Sequence, residues 1–234
     1  VHAQVDVLKS GKPVCAIAVD SRNSSGDGPA TLAEAGQWLA ESLGGEFPAV
    51  ADESIVIARA DTFPKIAARV NLVPEAGYDA YAIVTEPNRV LLLGNSEAAA
   101  RHAVADLLRR WGFRHFAPSP RWRVTPRLEN LSIDFTAVEK PALIDRRIWY
   151  AYGMGDDTKP LMGDYQRWVH ANRLSLKSPI NNGHSYGNII QRNAAAFAKN
   201  PVRIIDSLNP PAFPALPSTR RLLLVKCDTR VTPL

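Results

Sequence analysis

TEPNRVLLLGNSEAAARHAVADLLRRWGFRHFAPS, residues 85–119, is the stretch whose reading decides the fold. Residues 89–94 are an apolar, strand-forming run, and residues 79–86 just before them are another, the two being separated by Pro87-Asn88. That pattern predicts a β-hairpin. Ser96 then stands where a helix cap is needed, and Glu97 places an acid in the first turn, where the helix dipole favours one. Ala100, Val104, Leu107, Leu108 and Trp111 recur at helical spacing and Gly112 stops the helix. Hairpin, helix and a further short strand at 113–116 therefore follow one another within some forty residues.

Outward from this centre the same periodicities continue. Residues 13–20 are apolar and β-branched, as in a buried strand, and a polar Gly/Ser/Asn/Asp loop follows at 21–28. An amphipathic helix is expected over 31–43, with Leu32, Ala35, Leu39 and Leu43 on one side and Gly44-Gly45 ending it. SIVIARA, residues 54–60, reads as a second strand, 63–70 as a short helix or turn, and 128–134 as a last strand. The order strand, helix, strand, hairpin, helix, strand implies an α+β fold with a small mixed sheet covered by helices on one face. Its domain is expected to span 1–135, with 135–141 as a linker.

A different pattern starts at Leu143. Residues 144–152 are strand-like and rich in arginine and aromatics, 165–174 read as a helix, 176–180 as a strand and 181–186 as a polar loop. Strand, helix, strand, loop is how a (β/α) TIM-like barrel begins, here over 136–200. Six prolines fall within 201–234 and periodicity is lost there apart from 222–225. This tail reads as a disordered or frame-shifted end, or as a Pro-rich extension.

Composition restricts the function classes. Of the 234 residues, 46% are hydrophobic and 22% charged, an ordinary globular balance, and no run reaches the length of a membrane span. The net charge is +5, but basic and acidic residues interleave. The one enriched stretch, with Arg101, Arg109, Arg110, Arg114, Arg121, Arg123 and Arg127, reads as a solvated helix face and the strand after it, so no nucleic-acid partner is expected. Cys15 and Cys227 form neither a metal cluster nor a disulfide framework, and Cys15 reads as a small buried hydrophobe. Gly153-Met154-Gly155 lacks the context of a nucleotide loop and Ser185 that of a serine nucleophile. No cofactor and no metal are expected. The opening Val1-His2-Ala3-Gln4 fits the end of a signal-peptide cleavage region, which implies a secreted or periplasmic protein.

Two stretches carry a family resemblance. Leu93-Gly94-Asn95, the helix after it, and Trp111-Gly112-Phe113-Arg114-His115-Phe116-Ala117-Pro118 resemble the N-terminal accessory domain of family 67 α-glucuronidases, a domain also found before the barrel of β-N-acetylhexosaminidases. KPALIDRRIWYAYG, residues 140–153, with Trp168, Asn172, Arg173 and Leu174, resembles the barrel start of the same glycosidase-like proteins, and Gly183-His184-Ser185-Tyr186 resembles their Gly-His loop. The resemblance implies an exported glycoside-hydrolase-like protein acting on a polysaccharide or oligosaccharide. Such enzymes use two separated carboxylates, and in relatives these come from later barrel strands. A whole barrel takes roughly 250 residues, far more than follow Pro141, so the catalytic acid and base are not expected among these residues. The alternative is a non-catalytic carbohydrate-associated or interaction module.

The resemblance also ranks site residues. His184 lies in a loop at the expected barrel mouth and is a candidate sugar contact, or else an ordinary loop histidine. Arg146 and Arg147 are neighbours on a strand, so only one can point inward. An inward Arg146 could hold a sugar carboxylate bidentately or make a structural ion pair. Trp149 could stack on a pyranose or belong to the core. Trp168, Asn172 and Arg173 read as packing and capping between helix and barrel. Asp156 and Asp157 are adjacent, too close for a separated acid/base pair.

Overall fold

The computed structural model describes residues 3–143, 146 and 159–174, and all of them lie in the first of two units, Val1–Leu176. Its centre is a five-stranded mixed sheet. β3 (Ala16–Asp20), β4 (Ser54–Arg59), β6 (Arg89–Gly94) and β10 (Ala137–Glu139) run in one direction and β5 (Tyr81–Glu86) runs against them, antiparallel to both of its neighbours, in the order β10-β5-β6-β4-β3. β5 and β6 form the expected hairpin, in register from Tyr81↔Gly94 to Glu86↔Arg89. Its turn is closed by Asn88 at φ 64°, a left-handed conformation that asparagine tolerates better than most side chains.

Strand residues alternate between two cores, as a period of two requires. Ile55, Ile57, Ile83, Val90 and Leu92 face α1 (Gly28–Ser42) and α3 (Glu97–Arg110). Ala58, Ala82, Val84, Leu91 and Leu93 face the other way, onto α2 (Pro64–Arg69) and Leu72. The sheet is thus covered on both faces, a correction to the one-sided cover expected from sequence. Residues 63–70 are short but carry Phe63, Ile66, Ala67 and Val70, which is enough to shield a second apolar face.

A second sheet closes one end of the larger core. β1 (Val5–Lys9) pairs with β2 (Lys12–Pro13) on one side and with β9 (Leu131–Ile133) on the other. It buries Val5, Val7, Leu8 and Ile133 against α1 and α3. Residues 135–141, expected to be a linker, hold β10, whose three residues pair with 81–83 of β5. β7 (Arg114–His115) and β8 (Arg123–Val124) form a small hairpin, and α4 (Lys159–Ala171) packs on α3 and β7.

The fold is therefore mixed α/β with several sheets. Of the expected barrel start, α4 is described, whereas the strand at 144–152, apart from Arg146, the strand at 176–180 and the 201–234 tail lie outside the described residues. Cys15 is a free, buried thiol, and burial pushes its pKa up to about 11, in keeping with a core residue. No helix among the described residues is long and apolar enough to cross a membrane.

Candidate functional site

α3 is buried almost all round, because the sheet, α1 and α4 each take a side. On the α4 side its sequence is polar. His102 and Asp106, four residues apart, share that face, and both are buried. Asp106 is fully buried yet faces three guanidinium groups. Its Oδ2 accepts from Arg110 Nε at 3.0 Å, while Oδ1 lies 3.5 Å from Arg173 Nη1 and 3.7 Å from Arg109 Nε. Arg173 Nη1 also meets the Tyr81 hydroxyl at 2.6 Å. Burial, and then the charge of Asp106, push the Tyr81 pKa up to about 12. Burial works against the charge of Arg173, but Tyr81 and Asp106 together hold its pKa above the usual value.

Arg173 follows α4 in a left-handed conformation, φ 55°, which turns the chain back toward this cluster. Its carbonyl accepts from Arg146 Nε at 3.1 Å; Arg146 Nη1 donates to the Leu143 carbonyl at 2.8 Å and Nη2 to Asp79 Oδ2 at 2.7 Å. Asn172 Nδ2 donates to the carbonyls of His115 and Trp168, both at 2.9 Å. The end of α4 is thus tied to β5 and α3 by the charge-assisted bonds of Arg173, the strong kind, and to β7 by a neutral amide–carbonyl bond. Tyr165 and Trp168 lie along α4 with ring centroids 5.8 Å apart and planes tilted by 36°.

Two histidines sit in this joint with nitrogens lacking any hydrogen-bond partner, Nδ1 of His102 and Nε2 of His170. Burial lowers the His102 pKa; Asp79 opposes this, while Arg146, Arg101 and Arg173 add to it. Burial also lowers His170, to about 3, helped by Arg101 and His102. Both are therefore neutral in the fold at neutral pH, whereas in the unfolded chain they take a proton below about 6.5. Their contribution is complete above pH 6.5 and is lost as the pH falls from there toward the folded values, because the unfolded state binds more protons. The expected loss at pH 5 is on the order of 2 kcal/mol per histidine. Urea midpoints at pH 7.5 and pH 5 measure it. His102→Gln should make the dependence shallower, leaving the part due to His170, and an equally steep profile in that variant would remove His102 as a source.

Of the residues singled out in the sequence, Arg146 lies in the joint, while His184, Trp149, Asp156 and Asp157 lie outside the described residues. Asn172 and Arg173, expected to pack and cap between helix and barrel, bond to β7, β5 and α3. Arg101, read as part of a solvated face, is largely buried, with Glu34 at 3.8 Å. Asp79, Tyr81, His102 and Asp106 were not singled out. The one available signal was the His102–Asp106 spacing, two polar residues four apart among the alanines and leucines in the middle of α3. The described carboxylates of the joint are occupied by guanidinium groups, and among the described residues no cluster of three or more His, Cys, Asp or Glu could hold a metal ion.

No protein-family model matches the chain, and no curated protein matches it. A solved structure titled "Structure of CpGH84D", a glycoside hydrolase family 84 member, aligns with 46% of this chain at 16% identity and a TM-score of 0.29. The aligned part covers 18% of that structure's own length. A likeness at this level bears neither on fold nor on function.

Proposed function

We propose that the described unit is the accessory α+β layer of a glycoside-hydrolase-like protein, and that its work is to seat and orient the (β/α) region that follows. One observation supports this reading above the rest. Arg146, Asn172 and Arg173, which carry the barrel-start resemblance, are bonded to Asp79, the His115 carbonyl, Tyr81 and Asp106 of the preceding layer. Residues that would be idle on an independent barrel make the joint here. In this reading His184 and Trp149 remain the sugar contacts, Arg146 belongs to the joint, and a polysaccharide of the kind α-glucuronidases act on is the substrate. The acid and base come from carboxylates on later strands.

The test is an assay on a panel of aryl glycosides, run on this chain and on a product extended through whatever reading frame follows the Pro201 codon. The chain itself should release no phenol, and the extended product should. Hydrolysis by the chain alone would overturn the assignment of the catalytic pair to later strands. An inactive extended product without separated carboxylates would leave a non-catalytic module.

A further inference from the structure

A groove of about 290 Å³ opens between the end of α1, the last turns of α3, the β7–β8 hairpin and α4. Four guanidinium groups line it, those of Arg109, Arg114, Arg123 and Arg167, and Trp38 and Phe113 supply its aromatic surface. The positive charge is poorly compensated. Arg109 reaches Asp106 only at 3.7 Å and shares that carboxylate with Arg110 and Arg173. Arg114 Nη1 donates to the carbonyls of Arg109 and Phe113 at 2.6 and 2.7 Å, which fixes its plane without neutralising it. Arg167 is exposed and has no acidic partner among the described residues. Among the described residues, Arg123 alone of the four has a close carboxylate of its own, Asp164.

Rigid guanidinium forks beside half-buried aromatic rings match one kind of ligand. The apolar face of a sugar ring covers Trp38 and Phe113, and a carboxylate or sulfate on that ring meets the forks. The volume lies at the low end for ligand pockets, enough for one ring. A nucleic-acid strand needs a continuous basic track, and the groove is interrupted by Glu41 and bordered by Asp164. We infer that this groove binds an anionic saccharide, one charged ring at a time. The site lies between the sheet layer and α4, all within the described unit, and it does not depend on any hydrolytic activity.

Affinity electrophoresis of the full chain in gels containing polygalacturonate, its methyl ester, heparin or single-stranded DNA tests the inference. Polygalacturonate or heparin should retard the protein, and the stronger of the two tells carboxylate from sulfate. The uncharged methyl ester should not. Arg167→Ala, which breaks no bond among the described residues, should weaken retention about tenfold, the loss of one charge-assisted contact. Arg22→Ala, an equal charge loss on a residue paired with Asp20 outside the groove, should leave it unchanged. Equal weakening by both variants, retention by the methyl ester, or no retention by either anion overturns the inference. Tighter retention by DNA, steeply weakened by salt, would give the groove to nucleic acid instead.

Discussion

Gly94→Ala should destabilise the chain by about 3 kcal/mol or more, the upper end for overpacking a closed core. Gly94 ends β6 in the middle of the sheet, opposite Tyr81 of β5 and Arg59 of β4. The chain then turns into α3 within two residues, and Ser96 caps that helix by accepting from the Ala99 amide. A Cβ at Gly94 would run into the Ala100 amide nitrogen, the Ala99 carbonyl carbon and the Ser96 carbonyl oxygen. All three are backbone atoms of the first helical turn, so no side chain can swing aside. Asn95 holds the turn from the far side, its Nδ2 donating to the carbonyls of Val73 and Gly77, both at 2.9 Å. Urea denaturation of the variant, or its yield of soluble protein if it is too unstable to titrate, reads the effect. A midpoint within experimental error of the parent would mean that the helix can pull back from the strand.

The same turn shows why part of the fold was legible in the sequence. The Leu93-Gly94-Asn95-Ser96 run specifies strand end, close approach and helix cap within four residues, so hairpin and helix could be read locally. α1 was legible for the same reason, through its own periodicity and the Gly44-Gly45 stop, and β4 as an apolar run, while 63–70 read only as a short helix or turn. What escaped depends on partners far away in the chain. β1 is held by β9, which falls within the strand expected at 128–134 but lies more than a hundred residues later in the chain. β10 has three residues and owes its existence to the open edge of β5. The second apolar face of the sheet was hidden because β4, β5 and β6, being apolar on both sides, read as continuous runs.

The joint escaped for an electrostatic version of the same reason. Asp106 looks in sequence like one half of an ordinary i, i+4 pair with Arg110, a surface feature worth little. Only the return of the chain at Arg173 buries it and makes it the shared counter-ion of three arginines. Arg146 was equally open, a sugar-carboxylate ligand or an ion pair, until the fold placed Asp79 at 2.7 Å from it.

Asp106→Ala is accordingly expected to cost about 3 kcal/mol, the lower end for breaking a buried pair from one side. The cost comes less from the lost attraction than from the uncompensated charge left at Arg173, which also loses part of what fixes its fork on Tyr81. Arg109 and Arg110 are exposed enough to turn to water, which keeps the figure from going higher. If the cluster acts as one joint, the effects cannot add. The double variant Asp106→Ala/Arg173→Ala should be less destabilised than the two single losses combined, since removing the cation relieves the burial penalty created by removing the anion. Amide exchange along α4 supplies the local readout. It should quicken in Asp106→Ala and in Arg173→Ala while the β5–β6 hairpin stays protected, because α4 is held to the layer by this cluster whereas the hairpin is held by its own register and two cores. Strict additivity, or exchange rising equally in hairpin and helix, would mean that Asp106 serves the stability of the whole layer and that α4 is seated by Val169 and its apolar neighbours instead.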